Sequence, residues 1–315
     1  MANLLAQPRK WRSKAVLVKS EATYGVDSTP TGAANWIEAR NVSLSPMDVD
    51  KVDRNIVMDT LGSGGSIIVS QWAKLSFDVA LAPSGALGTA PKWASLIMAT
   101  GFAETVSAGV SVTYNLISSN FGSLCAYMYI GDVLHKLLGM RGELKVKQNA
   151  KGTPMMTVSY DAVYVTPADG AMPAVTKTGW AIEEAVNSKN TSPISVNGVN
   201  LAYSEFEWGL GNKISRLDLP GPQYEIAIND RAPTASIKVL APTLAVFNPY
   251  ALAESGVTVP ISVTHGSAAG KKIKTDLKAR IVGVDYDSIE DLTAYKLTLS
   301  PVPVAGNDEV TLTCL

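Results

Sequence analysis

The residue types that most often carry catalysis or hold metals are sparse in this chain. His135 and His265 are its two histidines, and neither sits in a recognisable metal-ligand spacing. A Ser–His or Cys–His nucleophilic pair would have to arise from tertiary placement alone. The run Gly62-Ser63-Gly64-Gly65 lacks the Gly-Lys-Ser/Thr of a phosphate loop, and Ile67 stands where a dinucleotide fingerprint needs its third glycine. Asp285 and Asp287 share a strand face as a carboxylate pair would, but solvated edge acids give the same pattern more often. Two short basic runs, Arg9-Lys10-Trp11-Arg12 and Lys271-Lys272-Ile273-Lys274, read as surface or subunit contacts. With a net charge of −1 and 7% aromatic residues, the chain has neither the basic field nor the stacking surface of a nucleic-acid binder. The expectation is a protein with no catalytic residues, no cofactor and no metal, hence not an enzyme.

If chemistry does not organise the chain, its elements must. Apolar residues make up 46% of the 315 and charged residues 17%, a lean charge content that points to surface hidden between subunits. No apolar run is long enough to predict a membrane span, and Met1 to Lys14 lacks the apolar core of a signal peptide. The wide separation of Cys125 and Cys314 suits a reducing compartment. Period-two alternation predicts strands over Trp36–Leu44, Lys74–Leu81 and Met156–Val165. In the second half it predicts them over Tyr224–Ile228, Ala235–Leu240, Val259–Thr264, Leu277–Val284 and Tyr295–Leu299. Short helices are predicted at Pro91–Ala99, stopped by Gly101, and at Pro249–Glu254, stopped by Gly256. The fold class is mainly β.

The pattern repeats at an offset near half the chain. Ile37, Val42 and Leu44 fall opposite Ile194, Val199 and Leu201, and Leu81-Ala82-Pro83 falls opposite Leu240-Ala241-Pro242. In each half that second motif leads into the short helix. The expected organisation is two tandem β-sandwich or barrel domains with a flanking helix each, residues 1–170 and 193–315. The Ala/Thr/Asn/Ser-rich residues 171–192 link them. An outer decoration domain is the alternative role for the second half.

Two irregular stretches stand out. Met47 to Ser66 begins with mixed charge (Asp48, Asp50, Lys51, Asp53, Arg54) and ends at Gly62, Gly64 and Gly65. A loop of that length in a compact domain is either functional or floppy. Glu205 to Pro222, with Trp208, is a shorter counterpart.

At this point the residues resemble a family. Lys19-Ser20-Glu21-Ala22-Thr23-Tyr24-Gly25-Val26-Asp27-Ser28-Thr29-Pro30-Thr31-Gly32-Ala33 is similar to the opening of the tail tube (major tail) proteins of long-tailed, non-contractile bacteriophages. So is Ala90-Pro91-Lys92-Trp93-Ala94-Ser95-Leu96 followed by Gly101-Phe102-Ala103-Glu104-Thr105, with a Tyr-bearing strand at Val112-Thr113-Tyr114. The likeness covers roughly residues 8 to 165. It implies β-sandwich domains that close into sixfold rings and stack into a hollow virion tube for DNA ejection. Assembly would take place in the host bacterial cytoplasm. Implied partners are further copies of the chain, tape measure, tail terminator and baseplate proteins, and double-stranded DNA passing without sequence-specific binding. It also implies an inter-ring contact for the long loop, carried onto Asp48, Asp50, Lys51, Asp53, Arg54, Gly62, Gly64 and Gly65. The internal repeat favours a trimer of pseudo-sixfold symmetry; a decoration domain would require a hexamer. The lumen-lining residues are not identifiable at this level. A baseplate or tail-terminator component, or a carbohydrate-binding β-sandwich, are the rival readings.

Overall fold

The computed structural model describes residues 11–315, so Arg9 and Lys10 of the first basic run and most of the N-terminal segment lie outside the described residues. The first half contains β1 (Lys14–Ser20), a helical turn α1 (Gly32–Asn35), β2 (Arg40–Asp53), β3 (Ser66–Ala80) and α2 (Ala94–Met98). It continues through β4 (Phe102–Ser107), β5 (Ser111–Leu116), β6 (Leu124–Ile130), β7 (Val133–Lys147), β8 (Met155–Tyr164) and the short β9 (Ala168–Asp169). The second half contains β10 (Ile194–Val196), β11 (Val199–Leu201), β12 (Tyr203–Gly209), β13 (Asn212–Asp218), β14 (Tyr224–Arg231) and β15 (Thr234–Leu240). It closes with α3 (Pro249–Ser255), β16 (Val259–His265), β17 (Ile273–Ile289), β18 (Leu292–Pro301) and β19 (Val310–Cys314). The chain is mainly β, and α1 is a helical element the sequence pattern did not predict.

Strand pairing gives the two halves the same order. In the first it runs β1-β6-β7-β8-β3-β2. In the second it runs β10-β16-β17-β18-β15-β12. The helix falls at the same place in each, after the strand ending in Ala80 or Leu240. Ile194 lies on β10, which takes the place of β1, and Val199 and Leu201 lie on β11, so the expected match to Ile37, Val42 and Leu44 does not hold; Leu44 on β2 answers instead to Trp208 on β12.

The halves are joined edge to edge. The end of β7 pairs antiparallel with β12, setting Glu207, Trp208 and Gly209 against Lys147, Val146 and Lys145. The result is one eight-stranded sheet, β2-β3-β8-β7-β12-β15-β18-β17, four strands from each half. On the other side of the core, β1 pairs with β6 and β6 with the start of β7, while β16 and β19 pair with the start of β17. The β4–β5 hairpin crosses over to pair with β19, which ties the first half to the second a second time.

One apolar core runs through both halves, with Leu75, Phe77, Trp93, Tyr114 and Tyr160 near zero exposure in the first and Phe206, Ile237, Leu277 and Leu297 in the second. Helix α2 is pinned by buried polar tips: Tyr160 OH donates to the Leu96 carbonyl (2.7 Å) and Trp93 Nε1, at its N-cap, to the Ala82 carbonyl (2.7 Å). Helix α3 is capped by Asn248, whose Oδ1 accepts from Ala251 N (3.1 Å), and ends at Gly256 in the left-handed region (φ 61°). Residues 171–192 pack along the body: Trp180 donates to the Trp36 carbonyl (3.3 Å) and Glu183 pairs with Arg40 (2.5 Å).

Candidate assembly interface

Strands β2 and β3 run far past the core as a ribbon. Strand structure continues to Asp53 and resumes at Ser66, so the irregular part is residues 54–65 and not the whole of 47–66 as expected. Arg54 N donates to the Gly65 carbonyl (2.9 Å), closing the tip. Gly64 is required there, because a Cβ would sit 2.2 Å from the Arg54 carbonyl oxygen. Gly65 takes a positive φ of 77° that only glycine adopts without strain.

The charged residues anticipated at this site divide into two groups. At the base, Asp50 Oδ2 accepts from Ser70 Oγ (2.6 Å) and Trp72 Nε1 (3.1 Å), and these bonds hold its carboxyl below the usual carboxylate range. Asp48 pairs with Arg216 (2.7 Å), which also reaches Asp161 (3.1 Å). Lys51, Asp53 and Arg54 stand exposed further out, with Gly62 beyond them. What sequence reasoning missed is the apolar character of the ribbon. Val52, Ile56, Ile67, Ile68 and Val69 are mostly exposed, and Val57 and Leu61 fully so, at 97% and 106%. The consecutive β-branched run Ile67-Ile68-Val69 was the available signal. A two-stranded ribbon apolar on both faces is marginal alone in water and calls for a covering surface.

The second half carries a hairpin at the corresponding place, β13–β14, inserted between β12 and β15. It folds back on the first half. Tyr224 stacks on Trp72 (4.6 Å between ring centroids) and donates to the Gln71 carbonyl. Ile226 N donates to Tyr24 OH (2.6 Å), and Arg141 Nη1 donates to the Ile226 carbonyl (2.8 Å). Burial raises the Tyr24 hydroxyl to about 12, so it stays protonated.

The face of the eight-stranded sheet turned from the core is polar, with Ser76, Thr157, Ser159, Ser236 and Thr298 alternating with buried neighbours. Three of its lysines have carboxylate partners, Lys147 with Glu207 (2.6 Å), Lys238 with Asp287 (2.8 Å) and Lys74 with Asp161 (3.6 Å), while Lys145 and Lys296 stand exposed on the same face. Asp285 and Asp287, the carboxylate pair of the sequence, belong to this face. The sheet has two open edges. Among the described residues no strand pairs with β2 on the side away from β3, nor with Gly283–Ile289 of β17 on the side away from β18.

The groups that prompted the chemical questions serve the fold. His265 is buried, with Nδ1 2.8 Å from Thr191 Oγ1 and Nε2 3.2 Å from the Glu184 carbonyl, and burial lowers its pKa. His135 lies on β7, half-buried and likewise shifted down. Both cysteines are buried free thiols, pushed up by burial to about 11 for Cys125 and about 12 for Cys314.

Open edges, an apolar arm and a polar sheet face define a structural β protein of the assembling kind. The family comparison makes this specific. The profile described as phage tail tube protein matches residues 11–314, nearly the whole chain, and the chain belongs to that family. None of the curated proteins compared with it matches. It is therefore a structural component of a phage tail, in a family that self-associates into a tube.

Proposed function

We propose that this chain closes into rings that stack as the hollow tube of a phage tail, through which DNA leaves the virion. The observation that carries the proposal is the strand order repeated in the two halves and joined edge to edge by β7 and β12. Each half gives four strands to one sheet. Six such units make a barrel of about 24 strands, and at ~4.8 Å spacing and ~40° tilt its backbone diameter is about 45–50 Å, wide enough for duplex DNA. Two units per chain, 1–170 and 193–315 with the connector 171–192, favour three chains per ring and pseudo-sixfold symmetry. A decoration domain would have no reason to repeat the order or to extend the same sheet.

The polar face lines the lumen in this arrangement. Free cations there would grip phosphates; Lys74, Lys147 and Lys238 are engaged by carboxylates, which leaves Lys145 and Lys296 as the exposed cations of that face. The β2–β3 arm reaches the neighbouring ring, its apolar tip docking and its base held by Asp48 and Asp50. Tape measure, tail terminator and baseplate proteins are the other partners, with assembly in the host bacterial cytoplasm.

Cryo-electron microscopy of the concentrated protein, viewed end on, tests this directly. Stacked rings of three chains with six similar lobes are expected. Six chains per ring would overturn the tandem arrangement and keep the tube; particles that never form rings or stacks would overturn the tube.

A further inference from the structure

The junction inside the chain specifies the junction between chains, residue by residue; this inference rests on the ring proposal above. Corresponding positions follow from two independent anchors. Strands β6 and β16 have equal length, and their pairs Ala126 with Leu137 and Ile261 with Leu277 superimpose β7 on β17. Separately, the buried triplet Leu75, Phe77, Val79 of β3 answers to Ala235, Ile237, Val239 of β15. Followed across their partners on β8 and β18, the pair Val146 with Met156 answers to Tyr286 with Tyr295. Likewise Trp208 with Ala235 answers to Leu44 with Leu75. Both anchors give the same displacement of β7 along β17.

Within the chain, Trp208 lies opposite Val146. Transferred through those correspondences, Leu44 lies opposite Tyr286. We propose that the open edge of β2 pairs antiparallel with the open edge of β17 in a second copy, setting Ser43, Leu44 and Ser45 against Asp287, Tyr286 and Asp285.

Three features of the two edges fit this register. Leu44 is half-buried on the core side of β2, and Tyr286 is 69% exposed on the core side of β17, in a ring cluster with Tyr250 and Tyr295. Their contact would fuse the cores of two chains as Trp208 and Val146 fuse the two halves. On the polar side, two small hydroxyls meet two carboxylates, with no like-charge clash. Pro46, which has no N–H to donate, follows Ser45 and limits pairing there, as the end of β12 at Gly209 limits it inside the chain. A slip by one residue would turn Leu44 onto the polar face. The contact is head-to-tail, the kind that generates rings.

Oxidative cross-linking of the assembled protein is the test. Paired residues across a ladder have Cα atoms about 4.5–5.5 Å apart, within disulfide reach. The variant Leu44→Cys/Tyr286→Cys should lose its monomer band on a non-reducing gel to covalent dimers and closed trimers. The slipped control Leu44→Cys/Val284→Cys should stay monomeric. Ser43→Cys/Asp287→Cys, on the polar side, reads the same register where the core is untouched, should the first variant fold poorly. Rings by microscopy without either predicted cross-link, or with the slipped one, overturn the register and leave the tube standing. Absence of rings from the unsubstituted protein overturns the ring proposal itself and this inference with it.

Discussion

The two hairpins that leave the sheet at corresponding places have opposite fates. The β13–β14 hairpin is consumed inside the chain, its strands tied to Tyr24, Arg141, Gln71 and Trp72, with Ile226 and Ile228 buried beneath. The β2–β3 arm is anchored only at its root, and beyond Asp50 it shows water the side chains a protein normally hides. The difference teaches where the chain is complete and where it waits for another. One hairpin spends its apolar and polar groups on the fold; the other reserves them for a surface outside it.

The strongest way to break the contrast is to remove the reserved part. Replacing residues 54–65 by Asn-Gly keeps Asp53 opposite Ser66 and closes the ribbon with a tight two-residue turn. Thermal stability should be nearly unchanged, rings should still form, and stacking into tubes should be lost. Normal tubes seen by negative-stain microscopy from this variant would show that the arm is not the inter-ring contact.

Trp72 is where the two hairpins meet, since it donates to Asp50 and stacks under Tyr224 with no exposure of its own. Trp72→Ala should cost about 3–5 kcal/mol of stability by denaturant unfolding. It should also loosen both hairpins together. Loosening of one alone, read by amide exchange, would mean the two are anchored independently.

The body of this molecule was more legible in sequence than its interface. Half-buried strands such as β3 and β15 announce themselves by alternation, because one face meets the core and the other meets polar surroundings. Strand β6 does not. Leu124, Ala126 and Met128 face the main core while Cys125, Tyr127 and Tyr129 pack in a second cluster with Ala15 and Leu17, so no polar face remains to set the period. The position of the arm was legible from the glycine run and the charges, yet its role as an apolar ribbon was not. Charge attracted attention to Asp48 and Asp50, which stay exposed and brace the root through Arg216, Ser70 and Trp72. The junction of β7 with β12 depends on which distant strands become neighbours, and no local pattern encodes that.

A smaller effect sharpens the contrast from the folded-back side. Arg216 reaches from β13 to Asp48 on the arm and to Asp161 on β8, its side chain 21% exposed. Arg216→Ala should lose about 1–2 kcal/mol, discounted for solvent access. The loss should appear as faster exchange at the root of the arm and leave the tip unaffected. Equal loosening at root and tip would mean that the root does not behave as a separate clamp.

The smallest effect is the most diagnostic of how the arm is held, because it isolates one carboxylate. Hydrogen bonds from Ser70 and Trp72 depress the Asp50 pKa below its ordinary value. A depressed folded-state pKa contributes stability above the ordinary carboxylate value, about 3.9, and that contribution fades as pH falls through the folded value. Neutral and mildly acidic solutions should therefore leave the root of the arm intact. Below about pH 4, amide protection around Ser70 to Trp72 should decline once corrected for intrinsic exchange. Asp50→Ala lacks the acceptor at every pH, so it should begin with lower protection and show no such decline. Identical protection in the two proteins at pH 6 would mean that stacking on Tyr224 alone fixes Trp72, and that the arm and the folded-back hairpin share a hydrophobic root with no polar clamp.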